Sequence, residues 1–200
     1  MRTAFSDTLI TLAKKDKRVI LLTGDHGYAL FDSFRRECPG QFLNAGVAEQ
    51  NMIGVAAGLA RSGFRPIVYG LSAFIPMRVI EQIKLDIARD KLPVILIGDG
   101  AGIVYSYLGC SHQSTEDIAC TRALPYLNIY SPADACELTH CLLSAFETSA
   151  PSYLRIGKSD IGRIHHAPLP RESLGIIKIR PRDRGNIAFI APGSMVRTAL

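Results

Sequence analysis

The stretch Ala48-Glu-Gln-Asn-Met-Ile-Gly-Val-Ala-Ala-Gly-Leu-Ala60, followed after a short gap by Pro66-Ile-Val-Tyr69, decides the fold of this chain. The first segment is predicted to be a helix with almost no polar face, which is typical of a helix that is buried nearly all round. The second segment is a short apolar run, as expected of a strand that is buried on both faces. A buried helix that leads directly into a buried strand favours an α/β fold.

Helical and strand patterns continue to alternate on both sides of this unit. Strands are predicted for residues 19–22, 93–97, 127–130 and 152–156, and helices for residues 5–12, 79–87, 116–123 and 134–146. Because repeated strand–helix units with apolar strands form covered parallel sheets, we predict a doubly wound, mainly parallel sheet with helices on both faces. Such sheets bind ligands outside the carboxyl ends of their strands, so functional residues are expected in the loops that follow strands.

The pattern changes near Asp160, which suggests how the chain is divided. Residues 1–159 are predicted to form the main domain, and residues 160–184, rich in Pro, Arg and His, a linker. Residues 186–191 are predicted to form a further buried strand, and Ser194 is a candidate N-cap for a helix that begins at Met195. One strand and the start of a helix cannot build a core, so residues 185–200 are interpreted as the opening of a second domain.

Composition excludes several classes of protein. The chain has 200 residues, of which 48% are hydrophobic and 20% charged, as in ordinary globular domains. The net charge of +5 lies mainly between Arg155 and Arg184, without a basic run interleaved with aromatic residues, so nucleic-acid binding is not expected. No segment is long and apolar enough to cross a membrane, and the N-terminal residues do not resemble a secretory signal, so a cytoplasmic location is expected.

The five cysteines give no sign of a disulfide framework or a structural zinc site. They are an odd number and lack the CxxC spacing of such sites: Cys38, Cys110, Cys120, Cys136 and Cys141. We expect them to be free thiols.

Glu49 is the most informative residue of the opening stretch. An acid in the first turn of a helix is often no more than a partner of the helix dipole. The helix that follows Glu49 has almost no polar face, however, so its acid is expected to lie at a dry interface.

The segment around Glu49 resembles one found in transketolases, 1-deoxyxylulose-5-phosphate synthases and the beta subunits of 2-oxoacid dehydrogenases. The resemblance runs from about Phe5 to Gly157, and residues 187–200 resemble the opening of the third domain of that superfamily. It implies the pyrimidine-binding domain of a transferase that uses thiamine diphosphate. It also implies that Mg²⁺ and the diphosphate are bound by another domain on a partner subunit, so that this chain alone is incomplete and supplies no metal ligand.

The resemblance gives three residues roles at the cofactor. It implies that Glu49 binds the ring nitrogen of the aminopyrimidine, whose exocyclic nitrogen then takes the thiazolium proton within the same molecule. Phe74, in Leu71-Ser-Ala-Phe-Ile-Pro-Met-Arg78, matches an aromatic residue that stacks on the pyrimidine, although ordinary core packing is the alternative. Arg78 is expected either to pair with an acid in the same site or to be structural.

Three further residues match family positions near the substrate or the cofactor. His112, in Leu108-Gly-Cys-Ser-His-Gln-Ser-Thr-Glu-Asp117, would face the reacting carbonyl or hydroxyl group, the alternative being a solvated loop histidine. Asp25 matches an acid near the cofactor, or else forms an Asx turn. Arg155 matches an arginine that grips a substrate phosphate.

The loop around His112 also departs from the family. Leu108 stands where the family has an acid that contacts sugar hydroxyls, so the resemblance does not identify the donor sugar. Ser114 is predicted to cap the helix that follows this loop.

Asp99 and Asn128 mimic the metal signature of the cofactor family. Gly98-Asp99-Gly100 is followed by Asn128 at about the right distance. Because Asn128 is predicted to lie inside a buried strand, residues 126–130, we assign no metal ligand.

The predicted function is therefore half of a two-chain ketol transferase acting on sugar or sugar-phosphate substrates, and a homodimer is expected through the helix at Glu49. Two alternatives remain at this stage. The first is a beta-type subunit of a 2-oxoacid decarboxylating enzyme, which the order Ser-His-Gln around His112 disfavours. The second is a non-catalytic relic that keeps the fold and dimerises.

Overall fold

A computed structural model of the chain describes residues 1–157, 162–170, 175–180 and 186–200. The strands are β1 (Val19–Thr23), β2 (Phe42–Asn44), β3 (Arg65–Leu71), β4 (Ile95–Asp99), β5 (Asn128–Tyr130) and β6 (Ser152–Ile156). The α-helices are α1 (Arg2–Lys15), α2 (Asp32–Glu37), α3 (Glu49–Arg61), α5 (Asp117–Thr121), α6 (Ala135–Thr148) and α7 (Met195–Ala199). The segment called α4 joins a 3-10 turn (Met77–Val79), an α turn (Ile80–Gln82) and a π turn (Ile83–Ala88).

The six strands form one parallel sheet in the order β2-β1-β3-β4-β6-β5. Alternate side chains of each central strand enter different cores: Leu21 and Ile67 face one cluster, and their neighbours Leu22 and Val68 face the other. The first cluster includes buried residues of α1, α2 and α6, and the second those of α3 and α4. The predicted doubly wound α/β fold is thus confirmed.

Helix α3 is buried on one side rather than all round, which corrects the prediction. Met52, Ile53 and Ala56 are fully buried, whereas Gly54 and Gly58 are exposed, and a Cβ atom added at either glycine would meet nothing within 4 Å. The reason is that this chain supplies a single layer on that side of the sheet. The outer face of α3 therefore remains open.

Two local predictions near the far edge of the sheet are also wrong. The predicted buried strand at 126–130 is a three-residue edge strand with an exposed Asn128, because β5 has a neighbour on one side alone. Ser114 does not cap α5, since that position belongs to Glu116; the Ser114 backbone instead forms a two-way bridge with Gly102.

The strand predicted at 186–191 does not form. Its apolar side chains lie in solvent, with Ile187 and Phe189 79% exposed and Ile190 85% exposed. A strand needs a neighbour for its backbone groups, and no described residue of this chain offers one here. Helix α7 does begin at Met195 after Ser194, as predicted.

The predicted boundary near Asp160 and parts of the predicted linker lie outside the described residues. The division into residues 1–159, 160–184 and 185–200 therefore stays a prediction. Among the described residues, the five cysteines are free thiols. No helix in that part of the chain is long and apolar enough to span a membrane.

Candidate active site

The carboxyl ends of β1, β3 and β4 are level and adjacent, so the loops that follow them meet at one place. Thr23 of β1 is aligned with Tyr69 of β3, and Leu71 of β3 with Asp99 of β4. The loop after β1 carries Asp25 and His26, the loop after β3 carries Phe74, and the loop after β4 carries His112. The first residue of helix α3 is an acid, Glu49.

Glu49 is a buried carboxylate with one oxygen in use and the other free. Its side chain is 3% exposed, and its Oε2 accepts a hydrogen bond of 2.9 Å from Nη1 of Arg78. Its Oε1 is buried and has no hydrogen-bond partner among the described residues. A buried acceptor without a partner is costly, so Oε1 is suited to a donor that comes from outside this chain.

Phe74 lies at the centre of the site. The Arg78 guanidinium carbon is 4.0 Å from the centroid of the Phe74 ring. The His112 ring lies 5.3 Å from that centroid in an edge-to-face arrangement, and the His26 ring lies 6.1 Å away. Phe74 is partly exposed and belongs to neither core cluster, so ordinary core packing does not account for its position.

His112 is held in place by its neighbour in the sequence. Its Nδ1 lies 2.9 Å from Oγ of Ser111. The side chains nearby in the loop are apolar and exposed, with Tyr107 more exposed than Leu108. His112 therefore presents an oriented imidazole beside Phe74, in a loop that carries no acid until Glu116.

These contacts unite four of the residues predicted from the sequence, and comparison with known proteins identifies the family. The sequence profile of the transketolase pyrimidine-binding domain matches residues 1–163. The chain belongs to this family. The predicted relationship to transketolase-like enzymes is confirmed.

Two curated relatives are subunits of transketolases. One, a subunit of the apulose-4-phosphate transketolase from Phocaeicola vulgatus, is 36% identical over 165 residues, which is 82% of this chain and 53% of that protein. The other, the 6-deoxy-6-sulfo-D-fructose transketolase subunit SqwH from Clostridium sp. strain MSTE9, is 33% identical over 201 residues, 100% of this chain and 62% of that protein. The chain thus spans between half and two thirds of the length of these relatives.

Solved structures agree with the fold. A chain described as a split-gene transketolase, inactive beta4 tetramer, is 32% identical and superposes with a TM-score of 0.75, covering 84% of this chain and 55% of that one. A transketolase of Pichia stipitis superposes with a TM-score of 0.87 over 99% of this chain and 31% of that one. At 21% identity, this second match supports the fold alone.

Asp25 follows β1 at the edge of the site, but it is hydrogen-bonded to Asn44 of the neighbouring strand β2. Its backbone N–H donates to Oδ1 of Asn44, and Nδ2 of Asn44 donates to Oδ1 of Asp25 at 3.2 Å. Hydrogen bonds from Tyr28 and then from Asn44 hold the pKa of Asp25 below its usual value. The carboxylate of Asp25 is therefore ionised and serves the turn after β1.

Arg155 is bound to a buried acid that the sequence analysis missed. Its Nε donates to Oδ2 of Asp117 at 2.8 Å and its Nη2 to Oδ1 at 3.2 Å, while the hydroxyl of Tyr153 donates to the same carboxylate. The binding of a phosphate by Arg155 stays a prediction. In the sequence Asp117 resembles an ordinary acid at the start of a helix, so no sequence signal distinguished it.

Asp99 and Asn128, which mimic a metal signature, lie at opposite ends of the sheet. Asn128 is aligned with Ser152, which in turn is aligned with Ile95 at the amino end of β4, whereas Asp99 is at the carboxyl end. Asp99 accepts a hydrogen bond from Tyr69 at 2.8 Å and lies near Arg2. The two residues therefore cannot share a metal ion. No cluster of His, Cys, Asp or Glu in the described ranges could hold one.

His26 is the site residue that the sequence analysis did not assign. Burial lowers the pKa of His26, against the opposing effect of Glu49, Asp25 and Asp99, while Arg78 lowers it further. Its position directly after the carboxyl end of β1 was the signal that could have identified it.

Proposed function

We propose that this chain supplies the pyrimidine-binding half of a thiamine-diphosphate-dependent, transketolase-type enzyme, which transfers a ketol unit between sugar-like substrates. The observation that carries the proposal is the free, buried Oε1 of Glu49, whose other oxygen accepts from Arg78, the arginine that contacts the Phe74 ring. A ring nitrogen that shares a proton with Oε1, in a flat ring close to Phe74, satisfies both groups. The residues present therefore fit the aminopyrimidine of the cofactor.

Glu49 and Arg78 have different roles at the pyrimidine: Glu49 handles the proton, and Arg78 orients Glu49. When bound, thiamine diphosphate supplies a thiazolium carbon that adds to ketose carbonyls and accepts an electron pair. Glu49 holds or returns a proton at the pyrimidine ring nitrogen through Oε1. Arg78 keeps Oε2 occupied and so orients the carboxylate. Burial of Glu49 excludes water, which strengthens this hydrogen bond.

His112 serves the substrate. Its Nδ1 contact with Ser111 orients the ring, which leaves Nε2 available to donate to or accept from a substrate oxygen. Arg155 would bind the distal phosphate of a sugar phosphate through the guanidinium nitrogen that does not donate to Asp117. The names of the relatives, which include transketolase subunits acting on a sugar phosphate and a sulfosugar, support a substrate of the sugar or sugar-phosphate class.

A partner chain would carry the diphosphate-binding domain and Mg²⁺. Two relatives are named as subunits of transketolases, and one similar chain of known structure is described as an inactive beta4 tetramer. The open face of α3, with Asn51, Gly54 and Gly58, lets another backbone approach closely, and a second copy of the chain is the proposed occupant. We also propose a cytoplasmic location, in keeping with five free thiols.

Reconstitution tests the proposal directly. The chain is combined with the co-purifying or co-encoded chain that carries a diphosphate-binding domain, and ketol transfer is measured with thiamine diphosphate and Mg²⁺. We expect activity from the pair and none from either chain alone. Glu49→Gln should lower turnover at least about 100-fold, because it can donate a hydrogen bond but cannot exchange the proton.

Glu81→Gln is the matched control, since Glu81 is an exposed glutamate on α4. It should leave turnover unchanged. Near-normal turnover of Glu49→Gln contradicts the assignment of Glu49. Absence of cofactor binding and activity in the complete pair supports the non-catalytic alternative instead.

A further inference from the structure

Phe74 has two imidazole rings nearby, each from a loop that follows a different strand. In the sheet, β3 is flanked by β1 and β4, so the loop that carries Phe74 is flanked by the loops that carry His26 and His112. The ring centroids of His26 and His112 are 6.1 Å and 5.3 Å from that of Phe74. Two histidines from different strand-end loops therefore lie near one aromatic ring at the carboxyl ends of the strands.

His26 is free to act, whereas its neighbours are engaged. The neighbouring Asp25 is bonded to Asn44, and His112 to Ser111. The ring nitrogens of His26 make no hydrogen bond to any residue within the described ranges, although the side chain is half-buried. The pKa of His26 is below its usual value, mainly because of burial and with a smaller contribution from Arg78. The carboxylates of Glu49, Asp25 and Asp99 oppose this shift without reversing it. A neutral imidazole in a partly dry site can accept a proton.

Cleavage of a ketose donor needs such an acceptor. The bond between the carbonyl carbon and the adjacent carbinol carbon breaks, and its electron pair stays with the ketol fragment; thiamine diphosphate, when bound, would supply the electron sink for that pair. The carbinol carbon becomes an aldehyde, so its hydroxyl group releases a proton. We propose that His26 is the catalytic residue that accepts this proton and later returns it to the acceptor aldehyde oxygen. The inference rests on the proposed function.

Two ketol-donor substrates distinguish a catalytic role of His26 from a structural one. D-xylulose 5-phosphate releases an aldehyde and a hydroxyl proton, whereas hydroxypyruvate transfers the same ketol fragment with loss of CO₂ and no hydroxyl proton. In the two-chain holoenzyme, with D-ribose 5-phosphate as acceptor under saturating conditions, His26→Ala should lower the rate of donor cleavage by about 100-fold for D-xylulose 5-phosphate. Single-turnover cleavage of hydroxypyruvate should be nearly unchanged.

His166→Ala is the matched control, because His166 is exposed in the segment that follows the main sheet. It should leave both donors unaffected. If His26→Ala lowers the rate of cleavage equally for both donors, or for neither, the inference is overturned. His26→Gln, which fills the site but cannot accept the proton, should reproduce the donor-selective loss; a normal rate in that variant also overturns it.

A second measurement does not depend on turnover. In the two-chain complex with ¹⁵N-labelled histidine, addition of thiamine diphosphate and Mg²⁺ should shift the imidazole signals of both His26 and His112. The signal of His140, on the distant helix α6, should stay in place. Unmoved His26 signals with shifted His112 signals contradict the placement of His26 at the reacting centre. If wild-type protein turns over neither donor but His26 responds to the cofactor, the proposed ketol transfer fails while the placement of His26 stands.

Discussion

Arg78 donates from Nη1 to Oε2 of Glu49 across 2.9 Å, joining a side chain that is 45% exposed to one that is 3% exposed. The same guanidinium lies 4.0 Å from the centroid of Phe74. One cation thus orients the acid and contacts the aromatic ring that are proposed to hold the pyrimidine. Predictions for these residues can be tested by binding as well as by activity.

Replacing Arg78 should weaken cofactor binding. Arg78→Met keeps the length of the side chain but leaves Oε2 of Glu49 without its donor, and partial exposure of Arg78 limits the loss. We expect the Kd for thiamine diphosphate in the two-chain complex to rise about ten-fold, as for a charged hydrogen bond partly screened by water. Isothermal titration calorimetry measures the change. Arg89→Met, which removes an exposed arginine paired with Asp90, should bind as tightly as wild type.

Replacing Phe74 should weaken binding through loss of an aromatic face. Phe74→Leu retains apolar bulk but not the flat ring, so the Kd for thiamine diphosphate should rise about three- to ten-fold. Phe74→Tyr should bind nearly normally. The same titration, together with thermal unfolding of each variant, separates a local effect from a loss of stability. Equal affinity of the Leu and Tyr variants contradicts stacking.

The pair formed by Asp117 and Arg155 should be strongly coupled. Arg155→Met leaves the carboxylate of Asp117 buried without a cation, which should lower the free energy of unfolding by about 3–5 kcal/mol. The double variant Asp117→Asn with Arg155→Met removes both charges and should recover part of that loss. Urea unfolding measures both values. A double variant no more stable than Arg155→Met alone rules out this account of the pair.

Asp134 should attach the segment after β6 to the main domain. It caps α6 by accepting from the backbone N–H of Glu137, and its Oδ2 accepts from the backbone N–H groups of Ile164 and His165, each at 2.8 Å. Asp134→Ala should lower the free energy of unfolding by about 2 kcal/mol, the upper range for loss of an N-cap. It should also speed proteolysis at residues 162–166. Asp7→Ala, at an exposed position on α1, should do neither.

The same residue should give the protein an acid-sensitive contribution to stability. Burial alone would raise the pKa of Asp134, but backbone donors from His165, Glu137 and Ile164 outweigh it and hold the pKa below its usual value. Because the folded pKa is below the unfolded one, the contribution is complete above about pH 5 and is lost as pH falls through the folded value. Urea unfolding between neutral and acid pH should show this loss in wild type. It should be weaker in Asp134→Asn.

Periodicity in the sequence was enough to predict the fold, whereas most of the candidate site came from the resemblance of its motifs to the family. Strands β1, β3, β4 and β6 carry continuous apolar runs, because both of their faces are covered, and such runs are visible without a structure. The rule that ligands bind at carboxyl ends then directs attention to Phe74 and His112. Both residues do lie at that edge, in contact with each other.

Three predictions of burial were wrong for one reason. The residues of a strand or helix do not reveal how many neighbouring elements will cover it. Residues 186–191 are as apolar as a buried strand, yet they lie in solvent for want of a partner among the described residues. Asn128 reads as part of a buried strand, yet β5 is the edge. Helix α3 reads as buried all round, yet this chain covers one side of it.

By itself, the sequence determined the α/β class and the alternation of strands and helices that builds a parallel sheet, and it pointed to Glu49 as a site residue. These features could be read from the sequence because hydrophobic spacing and a distinctive segment are local properties. The tertiary structure decided which groups meet. It placed Arg78 in contact with Glu49, both His26 and His112 near Phe74, and Asp117 in contact with Arg155. These relationships join residues far apart in the chain, so they depend on strand order and register, which arise when the whole sheet is packed.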